Sequence, residues 1–174
     1  FDFVAFDGTV IKDIELGVPV EINIENAIAS LAGCYLTGDM QLDKAAEAMG
    51  SFMGPKRRFE FWLKEPGENG RAVIDDYAHH PAELKVTLEA AMKMGYNTVW
   101  AVFQPFTYSR TAMHFDEFVD VLKIPDKCVM TEIMGSREVN TYDIYTSQLA
   151  EKIPNSVWFN TQEEVAEYVV NNAK

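Results

Sequence analysis

The sequence is poor in the residues that most directly announce chemistry or a partner. Its 174 residues include two cysteines, three histidines, and 15 lysines and arginines against 27 aspartates and glutamates, for a net charge of -12. That acidic excess excludes a general binder of nucleic acid or anionic membrane, because both partners demand a basic face. It leaves open a phosphate ligand held by a few local cations. Cys34 and Cys128 stand in apolar stretches without metal-ligand spacing. They read as buried, reduced thiols, a usage that fits the cytoplasm. No apolar run approaches the roughly 18 residues of a membrane span. There is no G-x-x-x-x-G-K-[ST] phosphate loop, no G-x-G-x-x-G and no G-x-S-x-G elbow, so nothing resembles a self-sufficient catalytic machine. An initiator Met and a signal peptide are missing too: the chain starts at Phe1 and reads as a piece of a longer protein.

What is present is an ordinary globular composition, 48% hydrophobic and 24% charged. The length suits one domain, or one domain with part of a neighbour. Phe1 to Phe6 alternates as a strand, Asp7-Gly8 signals a two-residue hairpin, and Thr9 to Leu16 would return before Pro19. Helical spacing runs from Asn23 to Thr37 with Gly38 as its stop, and a short helix from Leu42 to Met49 follows. Composition changes at Gly54-Pro55. Residues 1–54 carry 2 basic and 9 acidic side chains, whereas residues 55–81 carry five of each, beginning with Lys56-Arg57-Arg58. A domain boundary is expected near residue 54.

Beyond it, strand and helix signals alternate: strands Phe59 to Lys64 and Arg71 to Asp75, a helix Pro81 to Met94, and an apolar strand Thr98 to Phe103 of the kind buried on both faces. A helix Thr111 to Leu122, a strand Lys127 to Thr131, a helix Asp143 to Ile153 and a strand Ser156 to Phe159 follow. Thr161 with Glu164 forms a capping box for a last helix. The pattern predicts an α/β fold, a Rossmann-like and mostly parallel sheet with helices on both faces, with its last strand missing.

Ligands of such sheets bind beyond the carboxyl ends of the strands. Three segments lie there. Asp75-Asp76-Tyr77-Ala78-His79-His80-Pro81 packs two acids, a phenol and two imidazoles before a helix N-terminus. It is open to three readings: a metal site using Asp76, His79 and His80; sugar and anion recognition, in which a carboxylate accepts ribose hydroxyls; or a helix cap by Asp76 or His80. Gln104-Pro105-Phe106-Thr107-Tyr108-Ser109-Arg110 offers Arg110, either for bidentate pairing with a carboxylate or phosphate or for a surface ion pair. Lys56-Arg57-Arg58 is a solvated face or a polyphosphate clamp. The third segment, around Gly135-Ser136-Arg137-Glu138, reads as generic, and His114 and the aromatics Trp100, Phe115, Phe118 and Trp158 read as structural.

Taken together, Asn23-Ile24-Glu25-Asn26-Ala27, Lys56-Arg57-Arg58-Phe59, Asp75 to Pro81, and Phe103-Gln104-Pro105 leading to Tyr108-Ser109-Arg110-Thr111 resemble the Mur ligase family over essentially the whole chain. The resemblance implies that residues 1–54 are the tail of a central ATP-binding domain and residues 55–174 most of a C-terminal Rossmann-like domain. The UDP-binding domain, the phosphate loop and the main Mg2+ ligands would lie upstream. It implies a bacterial cytoplasmic, ATP-dependent ligase of peptidoglycan synthesis that activates UDP-N-acetylmuramate as an acyl phosphate for attack by L-alanine. By the same resemblance, Asn23 and Asn26 face adenine, Arg58 the ATP phosphates and Asp76 the ribose, while Tyr77, His79 and Arg110 line the muramate and alanine site. Two departures stand out. Ile22 replaces a frequent His, and Phe106-Thr107 replaces a frequent His-Arg. The alternatives are a tripeptide-recycling ligase of the same family, a nucleotide-binding module without catalysis, and a metal-dependent hydrolase.

Overall fold

A computed structural model describes residues 1–18, 21–38, 41–54, 56–67 and 70–173, with the backbone alone for Glu21 and Ile22. Pro19, Pro55 and the Ile22 side chain lie outside the described residues. Contacts divide the chain into two units, Phe1–Tyr77 and Ala78–Lys174.

In the first unit, β1 (Phe3–Val4) pairs antiparallel with β2 (Val10–Ile11). The joint is not the two-residue turn that Asp7-Gly8 suggests. Three residues, Phe6 to Gly8, lie between Ala5 and Thr9, where the Ala5 N–H donates to the Thr9 carbonyl at 2.8 Å. Gly8 takes φ +87°, and the Thr9 N–H donates to Asp7 Oδ1 at 2.9 Å. A left-handed glycine closing a three-residue loop satisfies strand twist as the shorter turn would. Helices α1 (Glu21–Thr37) and α2 (Leu42–Ser51) cover the hairpin. Phe3, Ala5, Ile14, Leu31, Ala45 and Ala46 form the core, with Cys34 at its edge and only half-buried, contrary to the expectation of a fully buried thiol.

Strands β3 (Glu60–Lys64) and β4 (Ala72–Asp75) form a separate antiparallel pair. Strict alternation led to the expectation of a parallel sheet. The connection from Glu65 to Arg71 is too short for a parallel crossover, which needs roughly a dozen residues or more, so a hairpin is the available solution. Arg71 closes it bidentately on Glu65, Nε to Oε2 at 2.9 Å and Nη2 to Oε1 at 2.8 Å.

The second unit holds α3 (Pro81–Met92), β5 (Trp100–Phe103), α4 (Tyr108–Met113), α5 (Phe115–Val121), β6 (Lys127–Thr131), α6 (Thr146–Lys152), β7 (Ser156–Phe159) and α7 (Gln162–Asn172). Its three strands pair parallel in the order β5-β6-β7. Alternation sends Phe103, Cys128 and Met130 into one core with Leu84 and Leu88 of α3, Phe118 of α5 and Leu149 of α6. On the opposite face, Tyr168 of α7 packs its ring on Trp100 and Phe159. Helices therefore cover both faces, as the pattern predicted. The cover is uneven: α7 packs on β6 and β7, and Val102 in β5 stays 57% exposed, so this strand is not buried on both sides. The expected helix from Thr111 to Leu122 is two helices broken at His114 (φ -113°, ψ 27°). The break lets the first bury Thr111 and the second bury Phe118, Val119 and Val121. Among the described residues, no helix is long and apolar enough to cross a membrane.

Candidate functional site

The basic run Lys56-Arg57-Arg58 and the acidic motif at Asp75 meet within the first unit. The turn carrying the run places Arg57 at φ 58° and Phe59 at φ 53°. This region costs a residue with a side chain of order 1–3 kcal/mol, so neighbours must hold it. Three ties do so. The Tyr77 N–H donates to the Arg57 carbonyl at 2.8 Å, the Phe59 N–H donates to Asp76 Oδ2 at 2.8 Å, and Arg57 Nε lies 3.4 Å from Asp75 Oδ2. The guanidinium carbons of Arg57 and Arg58 stand 4.9 and 5.8 Å from the centre of the Tyr77 ring. The outcome is an exposed surface with two cations over a phenol and a carboxylate beside them.

Next to this surface is a cleft of about 180 Å³ walled by Val18, Met53, Phe59 and Phe61, with Lys56 at its rim. Phe59 meets Phe61 edge to face, ring centres 5.8 Å apart. Asn23 braces the Val18 side, its Nδ2 donating to the Val18 carbonyl at 3.2 Å, and Asn26 Nδ2 sits 3.5 Å from Asn23 Oδ1. The volume is below the roughly 300–1,000 Å³ of pockets for drug-sized ligands.

In the second unit, the paired histidines diverge, as extended backbone requires. His80 is the N-cap of α3. Its Nδ1 accepts from the Ala82 N–H at 3.3 Å, and Glu83 reaches back to the backbone N–H groups of His79 and His80 at 3.0 and 3.3 Å. The His80 ring lies edge-on to His114, ring centres 4.6 Å apart, and His114 Nδ1 is 3.0 Å from Glu117 Oε1. His79 turns the other way, its ring 6.5 Å from that of Phe106 and its Nδ1 3.6 Å from Glu83 Oε2. Among the described residues, no three His, Cys, Asp or Glu side chains cluster as a metal site needs, which leaves the metal reading of Asp76, His79 and His80 without a ligand set.

The segment after β5 is tightly tied. Gln104 donates to the Glu132 carbonyl at 3.2 Å and accepts from Gln162 at 3.0 Å. Thr107, at φ 65°, caps α4 by accepting from the Arg110 N–H. Glu138 accepts from both the N–H and the hydroxyl of Ser109, and these bonds, with the nearby Arg110 charge, hold its carboxyl below the usual range. Arg110 lies with its guanidinium carbon 5.8 Å from the Phe106 ring centre. Its Nη1 is buried and has no hydrogen-bond partner among the described residues. A buried guanidinium N–H without an acceptor is costly, and a carboxylate is the acceptor its geometry fits best.

Residues 57–174 match the model of the Mur ligase glutamate ligase domain. The chain belongs to the Mur ligase family. Curated relatives include the UDP-N-acetylmuramate–L-alanine ligases of Acetivibrio thermocellus and Lachnospira eligens, each 41% identical, covering 98% and 95% of this chain. The chain spans only 37% and 36% of their lengths. The crystal structure of a UDP-N-acetylmuramate–alanine ligase from Thermotoga maritima matches with a TM-score of 0.70 at 27% identity, over 87% of this chain and 32% of that one.

The residues singled out from the resemblance to Mur ligases thus fall into two groups. Asn23, Asn26, Arg58, Asp76 and Tyr77 gather in the first unit, around the cleft and the basic turn. His79 and Arg110 gather in the second, each near the Phe106 ring. The segment read as generic is the one sequence reasoning missed. Gly135 lies under Tyr108, where a Cβ would sit 2.3 Å from ring atom Cε2, and Glu138 anchors Ser109. The signal for this in the sequence is slight: a glycine, then Arg137 and Glu138, a few residues past the strand that ends at Thr131.

Proposed function

We propose that this chain is the C-terminal part of an ATP-dependent ligase joining L-alanine to UDP-N-acetylmuramate in peptidoglycan precursor synthesis, in the bacterial cytoplasm. Residues 1–54 form the tail of its central ATP-binding domain and residues 55–174 its C-terminal domain. The observation that carries the reading is the buried, unpartnered Nη1 of Arg110, a donor in want of a carboxylate. Similarity at 41% to L-alanine ligases over nearly the whole chain supports it.

The residues of the first unit fit a nucleoside triphosphate. The Phe59–Phe61 cleft braced by Asn23 takes the base, with Asn26 beside it. Asp76 accepts ribose hydroxyls, and Arg58, exposed on its turn, meets phosphate. When bound, ATP supplies the phosphoryl group that turns the muramate carboxylate into a reactive acyl donor. In the second unit Arg110 pairs a substrate carboxylate, with His79 contributing a further polar contact; Tyr77, in the first unit, is assigned to the substrate by the resemblance to the family alone. Ligands for Mg2+ are assigned, by the resemblance to the family, mainly to other parts of the full-length protein. These groups act by positioning and charge stabilisation.

The test is steady-state kinetics of the full-length enzyme with L-alanine and, separately, the muramyl tripeptide's peptide as the added group. Arg110→Ala is expected to raise the L-alanine KM by a factor matching roughly 2–5 kcal/mol. Arg110→Lys should recover little of it, because Lys lacks the planar fork. Asp76→Ala should weaken ATP more than L-alanine. An unchanged L-alanine KM in Arg110→Ala, or turnover of the peptide only, would overturn the assignment.

A further inference from the structure

Phe106 neighbours both polar residues of the second unit's site, and its surroundings fix its backbone. Pro105 before it is fully buried. Phe106 itself forms a parallel bridge with Met134, framed by hydrogen bonds from the Thr107 N–H to the Met134 carbonyl (3.0 Å) and from the Met134 N–H to the Pro105 carbonyl (2.9 Å). The ring is thus carried by a clamped backbone. Its neighbours are the Arg110 guanidinium, 5.8 Å from the ring centre, and the His79 ring, 6.5 Å away at 73°.

We infer that Phe106 is a positioning residue that aims Arg110 at its carboxylate, an inference that rests on the ligase reading above. The aromatic quadrupole attracts a cation within about 6 Å of the ring centre. It does so without using up a hydrogen-bond donor in the way a carboxylate or carbonyl would. Arg110 is therefore held in place while Nη1 stays unpartnered and available. A long arginine side chain loses much rotamer freedom when it binds, and a ring that orders it beforehand reduces that loss. The same ring meets the His79 ring in a T-shaped arrangement, so one aromatic side chain neighbours both polar groups. The site takes a carboxylate-bearing ligand against an apolar wall, the chemistry of a small amino acid with an apolar side chain.

Two variants of the full-length enzyme separate aromatic positioning from mere space filling. Phe106→Leu keeps a bulky apolar group and removes the ring's quadrupole, whereas Phe106→Tyr keeps both. Phe106→Leu is expected to raise the L-alanine KM about tenfold while leaving the ATP KM unchanged, and Phe106→Tyr should stay close to the parent. In parallel, NMR should show upfield ring-current shifts of the Arg110 side-chain protons in the parent and Phe106→Tyr proteins, lost in Phe106→Leu. An unchanged L-alanine KM in Phe106→Leu despite loss of that shift would overturn the inference, as would absence of the shift in the parent. If the parent enzyme uses neither L-alanine nor the peptide, the ligase reading falls instead. The ring-current shift then still decides whether Phe106 positions Arg110.

Discussion

Cys128 shows how burial sets chemistry at a single residue. Burial in the core beneath α3 and α5 pushes its thiol up from 9.0 to about 12, so it stays neutral and unreactive across the physiological range. The sign of the linkage follows. The folded state favours the protonated thiol, so this contribution to stability is full below pH 9.0 and declines as pH rises toward about 12. Thiol labelling under native conditions is expected to leave Cys128 unmodified, with modification appearing only as denaturant unfolds the second unit. Rapid native labelling of Cys128 would contradict its placement. That Cys128 would be buried was legible, since it stands in an apolar strand. The half-burial of Cys34 was not, because a helix position at the rim of a small core has the same sequence pattern as one at its centre. Gly135 was illegible for a related reason. It is required by the Tyr108 ring lying against it, a contact between segments far apart in the chain.

At the scale of elements, caps and short connections decided more than propensity did. His80 caps α3 through Nδ1, with Glu83 completing the box. Replacement by Ala is expected to lower the stability of the second unit by about 1 kcal/mol, and Asn, whose side-chain oxygen can accept the same bond, should restore most of it. Urea unfolding followed by circular dichroism measures both. Equal loss in the two variants would mean that the contact with His114, rather than the cap, matters. The β3–β4 hairpin carries a pH signature. Hydrogen bonds from Arg71 hold the Glu65 carboxyl down at about 2 rather than 4.5. The stabilisation is present above pH 4.5 and fades as pH falls toward about 2, so Glu65→Gln should reduce the urea midpoint at neutral pH and match the parent near pH 2. The pair is exposed, which makes the effect small and sensitive to salt. Alternation of strand and helix signals located nearly every element. It could not tell the antiparallel pair β3–β4 from the parallel strands, because direction depends on connection length and partner rather than on the strand's own residues.

For the molecule as a whole, each unit has its own apolar core. The core of the second is drawn entirely from residues within Ala78–Lys174. Residues 78–174 expressed alone are expected to unfold in a single cooperative urea transition; a non-cooperative profile would show that the core needs the preceding residues. The charge of -12 argues against an extended polyanion as partner, and against that acidic background it singled out the few cations at 56–58 and 110. The sequence by itself also determined the α/β class, the family and the motifs, because periodicity and local motif chemistry are carried by neighbouring residues. Tertiary structure alone decided that Arg57 and Arg58 lie over Tyr77, that Phe59 ties to Asp76, and that the Phe106 ring neighbours both His79 and Arg110, one of whose guanidinium nitrogens is buried without a partner among the described residues. Those facts depend on distances between residues remote in the chain, which are set by how the turns and the sheet close, and no local pattern encodes them.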